Sequence, residues 1–304
     1  MSNFVARATR RRSIEANLFP YAHAAVEPWE GYRWHSAAGE VCDAFKEKSS
    51  QALSIDVFGT LKLHPRRDRL LDALALQLGL PPGGPWEVAL EWHDPDNVLA
   101  EKTPTWVDAV ARSPQALILF ECKFTEPDGG VCGQTQPITK GRRAGLRQCT
   151  GHYRSQTNAA NGREARCALS AKGLRYWDYV PTVFGFDADV NYTPCPFAGP
   201  WFQWMRNLTT AAAVGQHNQL RPAFVVVYAD EPRLPMATRV RQPGWQRLES
   251  IVNPAAVTFR TQSYQSLLAL AHRADPADPL WPELALWVER KIASVCGMPF
   301  VSGP

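Results

Sequence analysis

No run of about eighteen apolar residues occurs in this 304-residue chain, so no helix of membrane-spanning length is expected. Arg7, Arg10, Arg11 and Arg12 crowd the N-terminus without an apolar segment behind them, so no secretory leader is expected. That basic tract reads as a solvated tail, with an arm touching phosphate as the alternative. None of the seven cysteines forms a C-x-x-C pair, and zinc-ribbon spacing is absent. An odd cysteine count without a leader argues for a reducing cytoplasm and against a disulfide framework. There is no G-x-x-x-x-G-K-[ST], which argues against a built-in nucleoside-triphosphate motor. Helix-turn-helix and zinc-finger patterns, internal repeats and low-complexity tracts are also missing. Neither sign of charge dominates: 33 Lys and Arg stand against 29 Asp and Glu, a net charge of +4. That balance is compatible with a nucleic-acid partner and far short of demanding one.

What is present is the composition of a globular protein, 45% apolar and 20% charged. The length is enough for one large domain or two small ones. Eleven tryptophans are many, and several adjoin polar groups, as in Trp92-His93 and Trp177-Asp178. They suit a groove or stacking surface, or the edges of a core.

Residues 1–35 read as an irregular extension. From Ser36 to about Leu61 a 3–4 spacing of apolar residues predicts helix, with Gly59 as its stop. Leu70, Leu71, Leu74 and Leu78 form one stripe and predict a helix over 66–78, before the break at Pro81-Pro82-Gly83-Gly84-Pro85. Residues 86–92 alternate and predict a strand. Residues 127–198 read as a loop-rich insertion. A helix is expected from Pro200 to about Gly215 and a buried strand over 222–229. Residues 231–304 read as a C-terminal extension packed on the core, with weak helices near 264–273 and 282–295.

The most informative stretch runs from Thr105 to Glu126. Two apolar segments joined by Arg112-Ser113-Pro114-Gln115 predict a β-hairpin. Residues 116–120 are apolar throughout and predict a central strand buried on both faces. At its end Glu121 and Lys123 stand two apart and share a face. Asp108, on the first strand, can sit beside them across the ladder. Two carboxylates and an amine at the end of an apolar hairpin are costly without a purpose. The purpose they suit is holding a hard divalent cation and helping water attack a phosphodiester. An ordinary strand-end ion pair is the simpler alternative.

Asp108 on the second strand and Glu121-Cys122-Lys123 on the third, in this order of elements, resemble the PD-(D/E)XK, or restriction-endonuclease-like, superfamily. Lys48-Ser49-Ser50-Gln51-Ala52, Asp56-Val57-Phe58-Gly59 and Phe202-Gln203-Trp204-Met205-Arg206-Asn207 look like segments of an uncharacterised bacterial branch of it. The resemblance covers roughly residues 36–230. It implies an α/β fold, a central mixed sheet flanked by helices, here carrying the loop-rich, cysteine-containing insertion. It also implies an Mg²⁺- or Mn²⁺-dependent nuclease acting on nucleic acid, most often DNA. By position, Asp108, Glu121 and the backbone carbonyl of Cys122 would bind the metal, and Lys123 would orient or deprotonate the attacking water. A helix glutamate often assists in such enzymes. Glu47 ranks first for that role, with Glu40 and Glu91 as alternatives. Gln203 is expected near the site, or else as an exposed helix residue.

Cys132, Cys149, Cys167 and Cys195 fall in the insertion, and Cys149 with His152 forms C-x-x-H. They read either as inert buried thiols or as ligands of a structural metal, Zn²⁺ or an iron–sulfur cluster, that would staple a long loop. Iron–sulfur clusters occur in some RecB-type members of the resembled superfamily, whose cysteine spacing is not reproduced here. Cys42, Cys122 and Cys296 read as core residues. Lys140, Arg142, Arg143 and Arg147, with Arg206, are candidate phosphate contacts, or a solvated face. A non-catalytic nucleic-acid-binding relative and a hydrolase of small phosphoesters are the rival functions.

Overall fold

The chain builds one five-stranded sheet whose spatial order follows the sequence: β1 (Glu87–His93), β2 (Trp106–Arg112), β3 (Ala116–Lys123), β4 (Arg221–Tyr228) and β5 (Thr258–Ser263). The first three strands are antiparallel neighbours, and β4 and β5 join in parallel. This computed structural model describes residues 10–37, 41–151, 157–158, 163–164, 167–186 and 195–299. Ser113 tightens the β2–β3 turn, its hydroxyl accepting the N–H groups of Gln115 and Ala116. The resulting hairpin is the one the sequence predicts.

Strand β3 is buried along its whole length. Ile118, Phe120 and Cys122 face one core and Leu117 and Leu119 the other, so the apolar run is a two-faced central strand. Glu121 and Lys123 continue the row of Leu117 and Leu119.

From Ser50 onward the described α-helices, in chain order, are α1 (Ser50–Ser54), α2 (Thr60–Leu63), α3 (Arg67–Gln77), α4 (Tyr176–Phe184), α5 (Phe202–Asn218), α6 (Pro235–Arg239), α7 (Pro243–Ile251), α8 (Tyr264–Ala274) and α9 (Leu280–Val295). The first three pack with α8 and α9 on the Phe120 face. The other four cover the Leu119 face. The mixed sheet flanked by helices is thus the expected α/β architecture. Among the described residues no helix is long and apolar enough to cross a membrane.

Several local expectations need correction. The helix expected from Ser36 begins only at Ser50, where the Ser49 hydroxyl caps it by accepting the Ala52 N–H. Before it, Ser36–Ala37 pairs with Val41–Cys42 and Asp43–Phe45 forms a 3₁₀ turn. Gly59 does not stop the helix. The chain passes through a π-helical turn, Ile55–Gly59, into α2. A Cβ at Gly59 would lie 3.1 Å from Ala25 and 3.3 Å from Ala22, so glycine serves there to admit the N-terminal 3₁₀ helix Pro20–Val26. That helix is itself regular structure within a segment expected to be irregular. Strand β5 has no apolar run to announce it, since its sequence is T-F-R-T-Q-S. Helices α4 and α7 are likewise additions to the elements the sequence predicts.

Candidate active site

The register sets three acidic residues in one row. Leu90 pairs with Ala109 and Trp92 with Val107, so Glu91 falls opposite Asp108. Ala109 pairs with Phe120, so the row continues to Glu121. Cross-strand neighbours share a face. Two departures from a regular sheet occur here. Glu91 adopts a left-handed backbone, φ 46°, which is uncommon outside glycine and clusters at functional sites. The Asp108 carboxylate also accepts the Cys122 N–H at 2.6 Å.

Glu121 is held by three donors. Lys123 Nζ lies 2.9 Å and Gln203 Nε2 2.6 Å from its Oε1, while Asn207 Nδ2 lies 3.0 Å from its Oε2. Gln203 Oε1 in turn accepts Lys123 Nζ at 3.0 Å. Gln203 and Asn207 stand four apart on α5 and therefore present one face to β3. The Lys123 ammonium also lies 5.4 Å from the centre of the Trp204 ring.

Glu91 is anchored from the opposite side. Its carboxylate accepts Gln51 Nε2 at 2.7 Å and is 2.9 Å from His35 Nε2 and 3.3 Å from Arg33. Gln51, buried on α1, also takes the His35 N–H and donates to the Arg33 carbonyl. The Arg33 guanidinium lies 4.3 Å from the centre of the Trp106 ring. Arg206 lines the same cleft and is braced by Thr105, Tyr176 and Glu101. The cleft holds about 590 Å³ and is lined by all three acids together with Arg33, His35, Trp106, Gln203, Arg206 and Asn207.

Charge in this site is unbalanced. Loss of solvent raises the Asp108 carboxyl well above the usual range, and the charges of Glu121 and Glu91 push it further; Lys123 and the Cys122 N–H only partly offset this. Burial opposes the charge on Lys123, but Glu121 and Asp108 prevail and hold it above the ordinary lysine range. The amine is therefore an ammonium in the metal-free protein.

Of the residues singled out from sequence, Asp108, Glu121, Lys123 and Gln203 come together, and Arg206 lies beside them. Glu47 does not join them: it is exposed and accepts a hydrogen bond from Ser294 of α9 at 2.7 Å. Glu91 occupies the cleft instead. Glu40, His152 and Arg7 lie outside the described residues, as does the side chain of Cys42. Cys122 is buried in the core and Cys296 packs against it. The Cys122 carbonyl accepts the Ser50 hydroxyl at 2.7 Å and keeps a second lone pair. Lys140, Arg142, Arg143 and Arg147 are exposed on a loop closed by a bridge between Pro137 and Arg147. Asn207, Arg33 and His35 are additions. Of these only Asn207 left a signal, its i+4 spacing from Gln203.

Among the described residues no group of three or more His, Cys, Asp or Glu side chains is assembled to hold a metal ion. The donor set of Asp108, Glu121 and a strand carbonyl nevertheless suits a hard cation that keeps several waters and needs few protein ligands. The excess of carboxylate over ammonium is what such a cation would neutralise.

The family model described as Restriction Endonuclease associating with ARP matches residues 46–281. The chain belongs to this family. The match takes in all five strands of the restriction-endonuclease-like sheet and the whole acidic row. Neither the curated proteins nor the solved structures contain a match to this chain.

Proposed function

We propose that this chain is a metal-dependent nuclease that hydrolyses phosphodiester bonds in DNA. The observation that carries the reading is the row Glu91, Asp108 and Glu121 lining a polar cleft, with the Lys123 ammonium bonded to Glu121. In this reading Asp108 and Glu121 hold Mg²⁺ or Mn²⁺, and the Cys122 carbonyl completes the protein ligands. Bound there, the cation offsets the phosphate's charge and acidifies a water. Gln203 and Asn207 fix the Glu121 carboxylate through the hydrogen bonds they donate to it. Lys123, kept charged by its acidic neighbours, orients the attacking water and stabilises negative charge growing at phosphorus. Glu91 adds negative charge beside Asp108 and ties the N-terminal segment to the site through Arg33 and His35. Arg33 and Arg206 contact phosphates along the cleft, and the exposed loop carrying Lys140, Arg142, Arg143 and Arg147 contacts flanking backbone.

The test is cleavage of plasmid and of linear DNA, single- and double-stranded, with Mg²⁺ or Mn²⁺. Cutting by the wild type that Lys123→Ala and Asp108→Ala both abolish, with circular dichroism unchanged, is expected. Equal cutting by all three proteins contradicts the assignment. Hydrolysis of mononucleotide esters without polynucleotide cleavage moves the substrate to small phosphoesters.

A further inference from the structure

The four cysteines of the insertion lie far apart in sequence, yet Cys132, Cys149, Cys167 and Cys195 all line one small cavity. The rest of its wall is largely apolar, and Phe202 and Met205 of α5 contribute to it. The loops that bring the thiols there are tied to one another. The Cys132 N–H donates to the Ala198 carbonyl at 3.1 Å, and the Gln134 carbonyl accepts the Cys149 N–H at 2.9 Å. Lys172, just past the Cys167 turn, donates to the Gln134 side chain. Gly151, at φ +82°, brings the Cys149 turn against Cys195, whose Cβ is 3.9 Å from where a Gly151 Cβ would stand.

The sulfurs also have hydrogen-bond donors beside them. Gly151 N–H donates to Cys149 Sγ at 3.3 Å. Burial pushes the Cys132 and Cys167 thiols up and keeps them neutral in the metal-free protein, while backbone N–H groups of Gln134, at Cys132, and of Leu169 and Ser170 with the Trp177 indole, at Cys167, partly oppose it. Such donors can bond the sulfurs of a metal-held thiolate centre. Inert buried cysteines act as small apolar side chains and need neither a common cavity nor such donors.

We propose that Cys132, Cys149, Cys167 and Cys195 bind one Zn²⁺ as a tetrathiolate centre that staples the insertion to the N-terminal turns of α5. Four thiols release four protons on binding, leaving a centre of net charge −2 with Lys172 close to Cys132 and Cys167. The four cysteines share the cavity wall without being assembled as metal ligands in this structure. Neutral thiols around an apolar cavity have no attraction to a common point, and a cation supplies it. The cavity of about 20 Å³ is close to the space of a single water-sized sphere. That suits one ion. Helix α5 turns Phe202 and Met205 to the cysteines and Gln203, Arg206 and Asn207 to the acidic cleft. The ion would thus brace the helix that carries the groups holding Glu121.

The experiment is metal analysis of the full-length, untagged protein, followed by Co²⁺ titration of the chelator-stripped protein read by visible absorption. About one zinc per chain is expected, with the intense sulfur-to-cobalt bands of a tetrahedral thiolate site. Cys132→Ser and Cys167→Ser should lower zinc content about tenfold or more, while Cys296→Ser leaves it unchanged. Wild type without zinc and without the Co²⁺ bands overturns the proposal. So does iron accompanied by acid-labile sulfide, or a disulfide among the four found by mass spectrometry. If the serine variants do not fold, the wild-type zinc content and Co²⁺ spectrum still decide.

Discussion

Lys291 and Lys123 are both buried lysines that meet a carboxylate, one within the helical layer and one at the end of β3. Lys291 on α9 has Asp56 at 2.5 Å, and that carboxylate is saturated: the Phe19 N–H takes one oxygen, and Lys291 and the Trp287 indole take the other. Burial raises the Asp56 carboxyl, while Lys291, the Phe19 N–H and the Trp287 indole all pull it back. Lys123 meets Glu121, but Asp108 and Glu91 add negative charge to the row. The exposed Arg33, 3.3 Å from Glu91, offsets only part of it, and Asp108 is pushed up by its neighbours as well as by burial. One site is closed and paired one to one. The other opens onto a cleft with carboxylate in excess. Burial of a charge alone does not distinguish a structural ion pair from a candidate active site; the balance of charge and the access to solvent do.

Substitutions should separate the two sites cleanly. Glu121→Gln, which keeps the side chain's size and one acceptor oxygen, is expected to reduce DNA cleavage by about 10³-fold or more, measured as single-turnover rate, with little loss of stability. Asp56→Ala should do the reverse. It strands the Lys291 ammonium in the core and is expected to cost about 3–5 kcal/mol by urea unfolding. Its cleavage rate, measured where the protein is still folded, should stay near wild type. Gly59→Ala, where Ala22 and Ala25 crowd the added methyl, should cost about 1–3 kcal/mol through overpacking. Such a loss would again leave the cleft chemistry intact.

The smallest effect sharpens the contrast by pH. The folded-state pKa of Asp108 lies above its unfolded value, so its contribution to stability is fully present below about pH 4 and is lost as pH rises through the folded pKa. Without metal, Asp108→Asn should therefore stabilise the protein at neutral pH relative to wild type, and the advantage should shrink toward pH 4. A variant equally or less stable than wild type across that range would mean that the charge in the row is balanced after all.

The hairpin and its Asp108, Glu121 and Lys123 were legible because an unbroken apolar run ended in alternating charge, a pattern local in sequence. Gln203 was legible only through a family-like segment, since nothing in its own helix announces that it faces β3. Glu91 outranks Glu47 in the structure for reasons sequence spacing does not carry. Its position depends on the register of β1 against β2 and on a left-handed backbone at that residue. Arg33 and His35 reach the cleft from a segment without a regular pattern, positioned by Gln51. Strand β5 escaped notice because an edge strand needs only one well-buried stretch, here Thr258 and Phe259. The meeting of four cysteines is the opposite case: each residue was visible, but their convergence belongs to loops whose paths no periodicity records.

The most direct test of the central claim is the thermal stability of wild type and Asp108→Asn with and without Mg²⁺, at constant ionic strength. A cation that binds only the folded protein stabilises it. Wild type should therefore rise in Tm by about 4 °C or more once Mg²⁺ far exceeds its Kd. The variant should show little or no rise. No Mg²⁺-dependent shift in wild type, or an equal shift in both, would contradict the assignment of Asp108 and Glu121 as the seat of the cation.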